Sequence, residues 1–150
     1  MNYSTLEAQI KELIKDVPYM ISNLSNISAL LFQEMKDINW AGFYLFENDK
    51  LILGPFQGKP ACIEIENGKG VCGTSTMQDK TIVVEDVHKF PEHIACDSNS
   101  NSEIVIPIHK DNKIYGVLDI DSPILNRFNN EDKEGLEKIV KLIEEKLKHL

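Results

Sequence analysis

Apolar residues at Leu6, Ile10, Leu13, Ile14 and Val17 follow the spacing of one helix face and predict a first helix from Ser4 to Asp16, which Pro18 breaks. Ile21, Leu24, Leu31 and Met35 continue a one-sided stripe to about Lys36 and predict a second. This N-terminal segment, residues 1–37, is expected to pack against a sheet or a second subunit, and no chemistry is assigned to it. At Asn39 the period changes to two. Alternation from Trp40 to Phe46 places Trp40, Gly42, Tyr44 and Phe46 on one face and Ala41, Phe43 and Leu45 on the other. Both faces are apolar, so both must be covered. The turn Glu47–Lys50 leads into a second strand over 51–56 that Pro55 ends or places at an edge.

Between Gln57 and Thr81 periodicity is poor and glycine frequent, with a short helix expected to start near Gly70 and a strand over 81–84. Strict alternation returns from Glu103 to Ile108. It sends Ile104, Ile106 and Ile108 to the core and Glu103 the opposite way. In the next strand, Ile114 to Asp121, Leu118 and Ile120 share one face while Asp119, Asp121 and Val117 share the other. Two neighbouring strands therefore aim three carboxylates from one sheet. The last helix runs from about Asn130, with Glu131 and Asp132 in its first turn and Leu136, Ile139, Val140, Ile143 and Leu147 as its buried stripe. The pattern predicts one α+β domain over 1–150: helices in 1–37, a mainly antiparallel sheet with its loops in 38–128, and a helix in 129–150.

Composition narrows the function. The 150 residues are 42% hydrophobic, enough for a core that needs no staple. The formal charge is -8, from 16 basic and 24 acidic side chains, and no basic patch is interleaved with aromatics. A nucleic-acid backbone would be repelled, which leaves a small molecule as the expected ligand. The N-terminus has no signal-like apolar run and no stretch is apolar enough to span a bilayer, so a cytoplasmic protein is expected, with no membrane partner.

Three cysteines, at 62, 72 and 96, are an odd number that argues against a disulfide framework. Their intervals, even with His88 and His93 added, fit none of the common short-spaced zinc patterns, and no metal is expected. Redox chemistry suits them better. Around Cys96 the segment His88–Glu103 gathers two histidines, acidic residues and small polar residues ahead of the apolar strand. Three carboxylates on one sheet face require a cationic or protonated group among them, unless that face is solvated. Trp40 and Tyr44, four apart on one strand face, suit a pocket wall for an apolar or cationic group.

Six ordered blocks carry a family resemblance: Leu53–Cys62, Gly68–Gly73, Asp86–Pro91, His93–Ser98, Asn101–Pro107 and Gly116–Pro123. Together they resemble the free methionine-(R)-sulfoxide reductases, a family of GAF-domain proteins, over about Asn39 to Asp132. Glu92 departs from the pattern, standing where the family usually has glycine. The resemblance implies a GAF-like fold and thiol-dependent reduction of free methionine-(R)-sulfoxide. It implies Cys96 as nucleophile and Cys62 and Cys72 as resolving cysteines. Trp40 and Tyr44 become the aromatic wall, and Glu103, Asp119 and Asp121 bind substrate and activate the sulfoxide. No bound cofactor is implied, only an external dithiol such as thioredoxin, and a homodimer is expected. The competing reading is a GAF domain that binds a small molecule or senses redox state without turnover.

Overall fold

The computed structural model describes residues 1–91 and 99–150. Cys96, with Glu92 and His93, lies outside the described residues. Two helices, α1 (Tyr3–Ile14) and α2 (Met20–Glu34), precede the strands β1 (Trp40–Glu47), β2 (Lys50–Gly58) and β3 (Glu64–Glu66). Helix α3 (Gly70–Gln78), strand β4 (Ile82–Val84) and a 3-10 turn at Val87–Lys89 follow, then β5 (Ser102–Lys110), β6 (Lys113–Ser122) and α4 (Asn130–Lys148). The six strands form one antiparallel sheet in the order β3-β2-β1-β6-β5-β4.

Both faces of this sheet are covered, as the apolar character of β1 on both sides demands. On one face Ala41, Phe43, Ile104, Ile106, Ile108, Leu118 and Ile120 meet the stripes of α1, α2 and α4. On the other, Trp40, Tyr44, Val105 and Val117 pack with Leu51, Ile65, Val71, Cys72 and Val87. The first face is purely structural. The second also carries the carboxylates.

The helices follow their stripes, with local differences. In α4 all five expected residues are buried, and Asn129 closes a capping box with Asp132. In α2 the buried stripe is Leu24, Ile27, Leu31 and Met35, whereas Ile21 stands exposed at the first turn. Tyr3 Oη donates to Asp132 Oδ1 at 2.6 Å and Arg127 Nη1 to Asp132 Oδ2 at 3.2 Å, tying α1 to the start of α4. Asn48 and Asp49, and again Asp111 and Asn112, all take positive φ. These are the residue types that tolerate the left-handed region of tight hairpins.

Pro55 does not end β2, which continues to Gly58. It falls where the β1–β2 register shifts, between Leu53 opposite Tyr44 and Phe56 opposite Gly42, so the proline is accommodated at a bulge and not on an edge strand. The three-residue strand β3 is too short to leave a period, and the sequence reading missed it. Among the described residues no helix is long and apolar enough to cross a membrane.

One ion cluster joins three elements outside the sheet's acidic face. His109 on β5 places Nδ1 2.8 Å from Glu144 Oε2 on α4 and Nε2 2.6 Å from Asp79 Oδ1, at the C-cap of α3. Burial alone would lower the imidazole pKa, but the two carboxylate hydrogen bonds outweigh it and raise it. A pKa raised by folding contributes stability that is complete below the ordinary histidine value and is lost as pH climbs through the folded value. Thermal unfolding of wild type and His109→Gln is therefore expected to differ most below the ordinary histidine value and to converge as pH rises through the raised folded value. The difference is modest, since the ring is part-exposed.

Candidate active site

The carboxylates converge because of register. Glu103 on β5 pairs with Asp121 on β6, Asp121 pairs with Trp40 on β1, and Asp119 pairs with Gly42 and Val105. All these side chains leave the sheet on the face opposite Leu118 and Ile120. Glu103 is 7% exposed and Asp119 5%, which rules out a solvated acidic face. Asp121 is half-buried beside them.

Helix α3 closes over this cluster. Gly73 permits the approach: a Cβ there would lie 2.4 Å from Glu66 O. The neighbouring Cys72 thereby reaches the acids, its thiol donating to Glu103 Oε2 in a long contact of 4.0 Å. This contact was not legible in the sequence, since nothing in a glycine-rich helix fixes which residue faces the sheet.

The electrostatics follow from burial. Desolvation pushes the Glu103 carboxyl well above the usual range, and the nearby charges of Asp119 and Asp121 push it the same way. Burial likewise raises Asp119, with hydrogen bonding to Glu103 and Cys72 pulling partly back. The Cys72 thiol is pushed up by burial and by the same acids. Asp119 Oδ1 has no hydrogen-bond partner among the described residues. Burial thus favours the protonated form in this cluster, most strongly at Glu103, and Asp119 Oδ1 is left as an open acceptor among the described residues.

The aromatic wall stands beside the acids. Trp40 stacks on Tyr44 with centroids 5.9 Å apart and on Phe56 at 5.1 Å. Phe56 is a third ring that sequence reasoning did not assign to the wall, since it lies on a different strand and reaches Trp40 only through the β1–β2 pairing. Trp40 Nε1 donates to Lys59 O at 3.1 Å and Tyr44 Oη donates to Cys62 O at 2.8 Å. Gly58, at φ +133°, lets the chain pass the indole; a Cβ there would be 2.6 Å from Trp40 Cδ1.

Of the cysteines, Cys62 is disulfide-bonded and Cys72 is a buried free thiol. Cys96 falls outside the described residues. His88 Nε2 lies 3.0 Å from Asn101 Oδ1. Cys72, Glu103 and Asp119 bring potential ligand atoms within 4.8 Å of one another. Burial raises the pKa of all three, and the neighbouring acids add to the rise at Cys72 and Glu103.

A GAF domain model matches residues 20–147. The free methionine-R-sulfoxide reductase of Escherichia coli (strain K12) is 50% identical over 97% of this chain and 88% of its own. The chain belongs to the free methionine-R-sulfoxide reductase family of GAF-domain proteins. Among solved structures of the family, the reduced form of fRMsr of Staphylococcus aureus superposes with a TM-score of 0.95 at 60% identity, covering 97% of this chain and 95% of that one. Its complex with substrate superposes at 0.93 with the same identity and coverage. The six-stranded antiparallel sheet with its four helices is the family's architecture, as the sequence blocks implied.

Because folding raises the pKa of Glu103, the folded state binds a proton that the unfolded chain gives up above the ordinary glutamate range. Stability from this group therefore falls as pH rises from that range through the folded value. Glu103→Gln removes the penalty. It is expected to raise stability by on the order of 1 kcal/mol at pH 8, or about 2–4 °C in Tm for a chain of this size. The gain should shrink toward pH 4, which thermal melts across that range will show.

Proposed function

We propose that the protein reduces free L-methionine-(R)-sulfoxide to methionine, and that the buried Glu103–Asp119–Asp121 cluster beside the aromatic wall is what recognises the substrate. That cluster is the observation that carries the reading. A free amino acid brings an ammonium group, which suits an acidic pocket with an open acceptor at Asp119 Oδ1. Its methyl sulfoxide end suits the rings of Trp40 and Tyr44. A peptide-bound or N-acylated substrate has no ammonium and would leave buried acceptors unpaired, so it is rejected. A ligand-binding GAF domain has no need of acids that hold protons against a reacting oxygen.

The chemistry runs through Cys96 as nucleophile. Its thiolate attacks the sulfoxide sulfur, and a carboxylic acid of the cluster protonates the oxygen. Glu103 is best suited to this because burial and the neighbouring acids push its pKa well up, and burial raises Asp119 as well. The protonated oxygen then moves to the Cys96 sulfur, the substrate S–O bond and the transient bond between the two sulfurs break, and methionine leaves with Cys96 as a sulfenic acid. A second thiol then displaces that oxygen as water and forms a disulfide.

Cys62 is favoured for this step because it is already disulfide-bonded, whereas Cys72 is free and its thiolate is opposed by the acids around it. Cys72 is left as an alternative partner or relay. An external dithiol, with thioredoxin as the natural class, returns the enzyme to its reduced form by exchange. The cycle needs no metal or organic cofactor. It suits a reducing cytoplasm, and the exposed Tyr19 and Ile21 at the start of α2 suit a homodimer.

Single-turnover measurements test the assignment of roles. Reduced Cys62→Ser, mixed with substrate and no reductant, is expected to release one equivalent of methionine and then stop with a sulfenic acid. Cys96→Ser is expected to release none; stoichiometric release from Cys96→Ser would show that the nucleophile is another residue.

A further inference from the structure

Two hydrogen bonds cross from the substrate wall to the segment that carries Cys62. Tyr44 Oη donates to Cys62 O at 2.8 Å, and Trp40 Nε1 donates to Lys59 O at 3.1 Å. Both rings are 2% exposed and stacked on each other, so neither has freedom to follow a wandering loop. Burial, followed by the charge of Asp119, pushes the Tyr44 phenol far up, so it stays an O–H donor at any working pH. Besides these bonds the segment is held by the disulfide at Cys62 and by the packing of Ala61 and Cys62 against the core on that face. It leaves β2 at Gly58, residues 59–63 are exposed or half-buried, and it rejoins the sheet only when Leu53 N donates to Ile63 O at 2.9 Å.

We infer that Tyr44, with Trp40 in support, is a positioning residue for Cys62: the wall that faces substrate also holds the resolving cysteine in place for disulfide formation. The inference rests on the reductase reading for its place in the cycle, though the tether itself does not. In that cycle the Cys62 sulfur attacks the Cys96 sulfenic sulfur. The S–O bond breaks, the S–S bond forms, and the thiol proton leaves with the hydroxyl as water. Holding Cys62 by its own carbonyl raises its effective concentration for that attack and for every later closure of the disulfide. An untethered 59–63 segment in the reduced protein would spread over many conformations before closing.

The test uses the full chain and two readouts. In a redox-buffer titration with reduced and oxidised dithiothreitol, Tyr44→Phe is expected to lower the equilibrium constant for closing the Cys62 disulfide about fivefold, the factor that one typical net hydrogen bond is worth. Trp40→Phe, which deletes the other tether, should move it the same way. Reactivity of Cys72 toward a thiol reagent should not rise in Tyr44→Phe, since general loosening of the fold would expose that buried thiol. An unchanged equilibrium constant in Tyr44→Phe, or a fall matched by exposure of Cys72, overturns the proposal.

The second readout adds one equivalent of free methionine-R-sulfoxide to reduced protein with dimedone present. The ratio of dimedone adduct to disulfide should rise about fivefold in Tyr44→Phe. If the wild type releases no methionine, the reductase reading fails, and the redox titration still decides the tether.

Discussion

Three carboxylates leave the same face of one antiparallel sheet and two of them are almost wholly buried. Such an arrangement is costly: like charges in a desolvated site cannot all ionise. The molecule meets the cost by pushing the Glu103 and Asp119 carboxyls towards their protonated forms, placing the Cys72 thiol against Glu103 and leaving Asp119 Oδ1 as an open acceptor among the described residues. Much of the rest of the fold serves to keep that site dry and in register. The opposite face of the sheet carries the larger apolar core, packed under α1, α2 and α4. Stability is concentrated there, which lets the acidic face be unfavourable on its own.

The link from fold to chemistry is strand pairing. Glu103 opposite Asp121, and Asp121 opposite Trp40, follow from the antiparallel register of β5, β6 and β1. A slip of one residue would send all three acids into the apolar core, so the hydrophobic alternation that specifies the core also specifies the site. The thiols reach the same face by different routes. Cys72 arrives on a helix that glycine lets approach closely, and Cys62 on a segment pinned to two buried rings.

Legibility in the sequence tracked the length of each pattern. The alternation in β1, β5 and β6 was long enough to assign faces within each strand, Trp40 with Tyr44 in the first and Glu103, Asp119 and Asp121 opposite the isoleucines of the other two; that the rings and the acids share one side of the sheet followed from the register and the family blocks. The stripe of α4 was equally clear. The three residues of β3 carry no period, Pro55 disguised the continuation of β2 to Gly58, and the stacking of Phe56 on Trp40 depends on the pairing of β2 with β1. The meeting of His109 with Asp79 and Glu144, and of Tyr44 with the Cys62 carbonyl, depends on tertiary approach between elements far apart in sequence. The thiol roles came from family blocks, since cysteine spacing alone left metal, redox and burial open.

The claim on which the account turns is that buried acids read a free ammonium group and protonate a sulfoxide oxygen. Measuring methionine formed by the reduced protein with excess dithiol tests it most directly. The substrates are free methionine-R-sulfoxide, its S epimer and N-acetylmethionine-R-sulfoxide. The account predicts sustained turnover of the free R form alone. Equal turnover of the N-acetylated form would contradict recognition by the carboxylates, and no methionine from any of the three would contradict the enzyme reading itself.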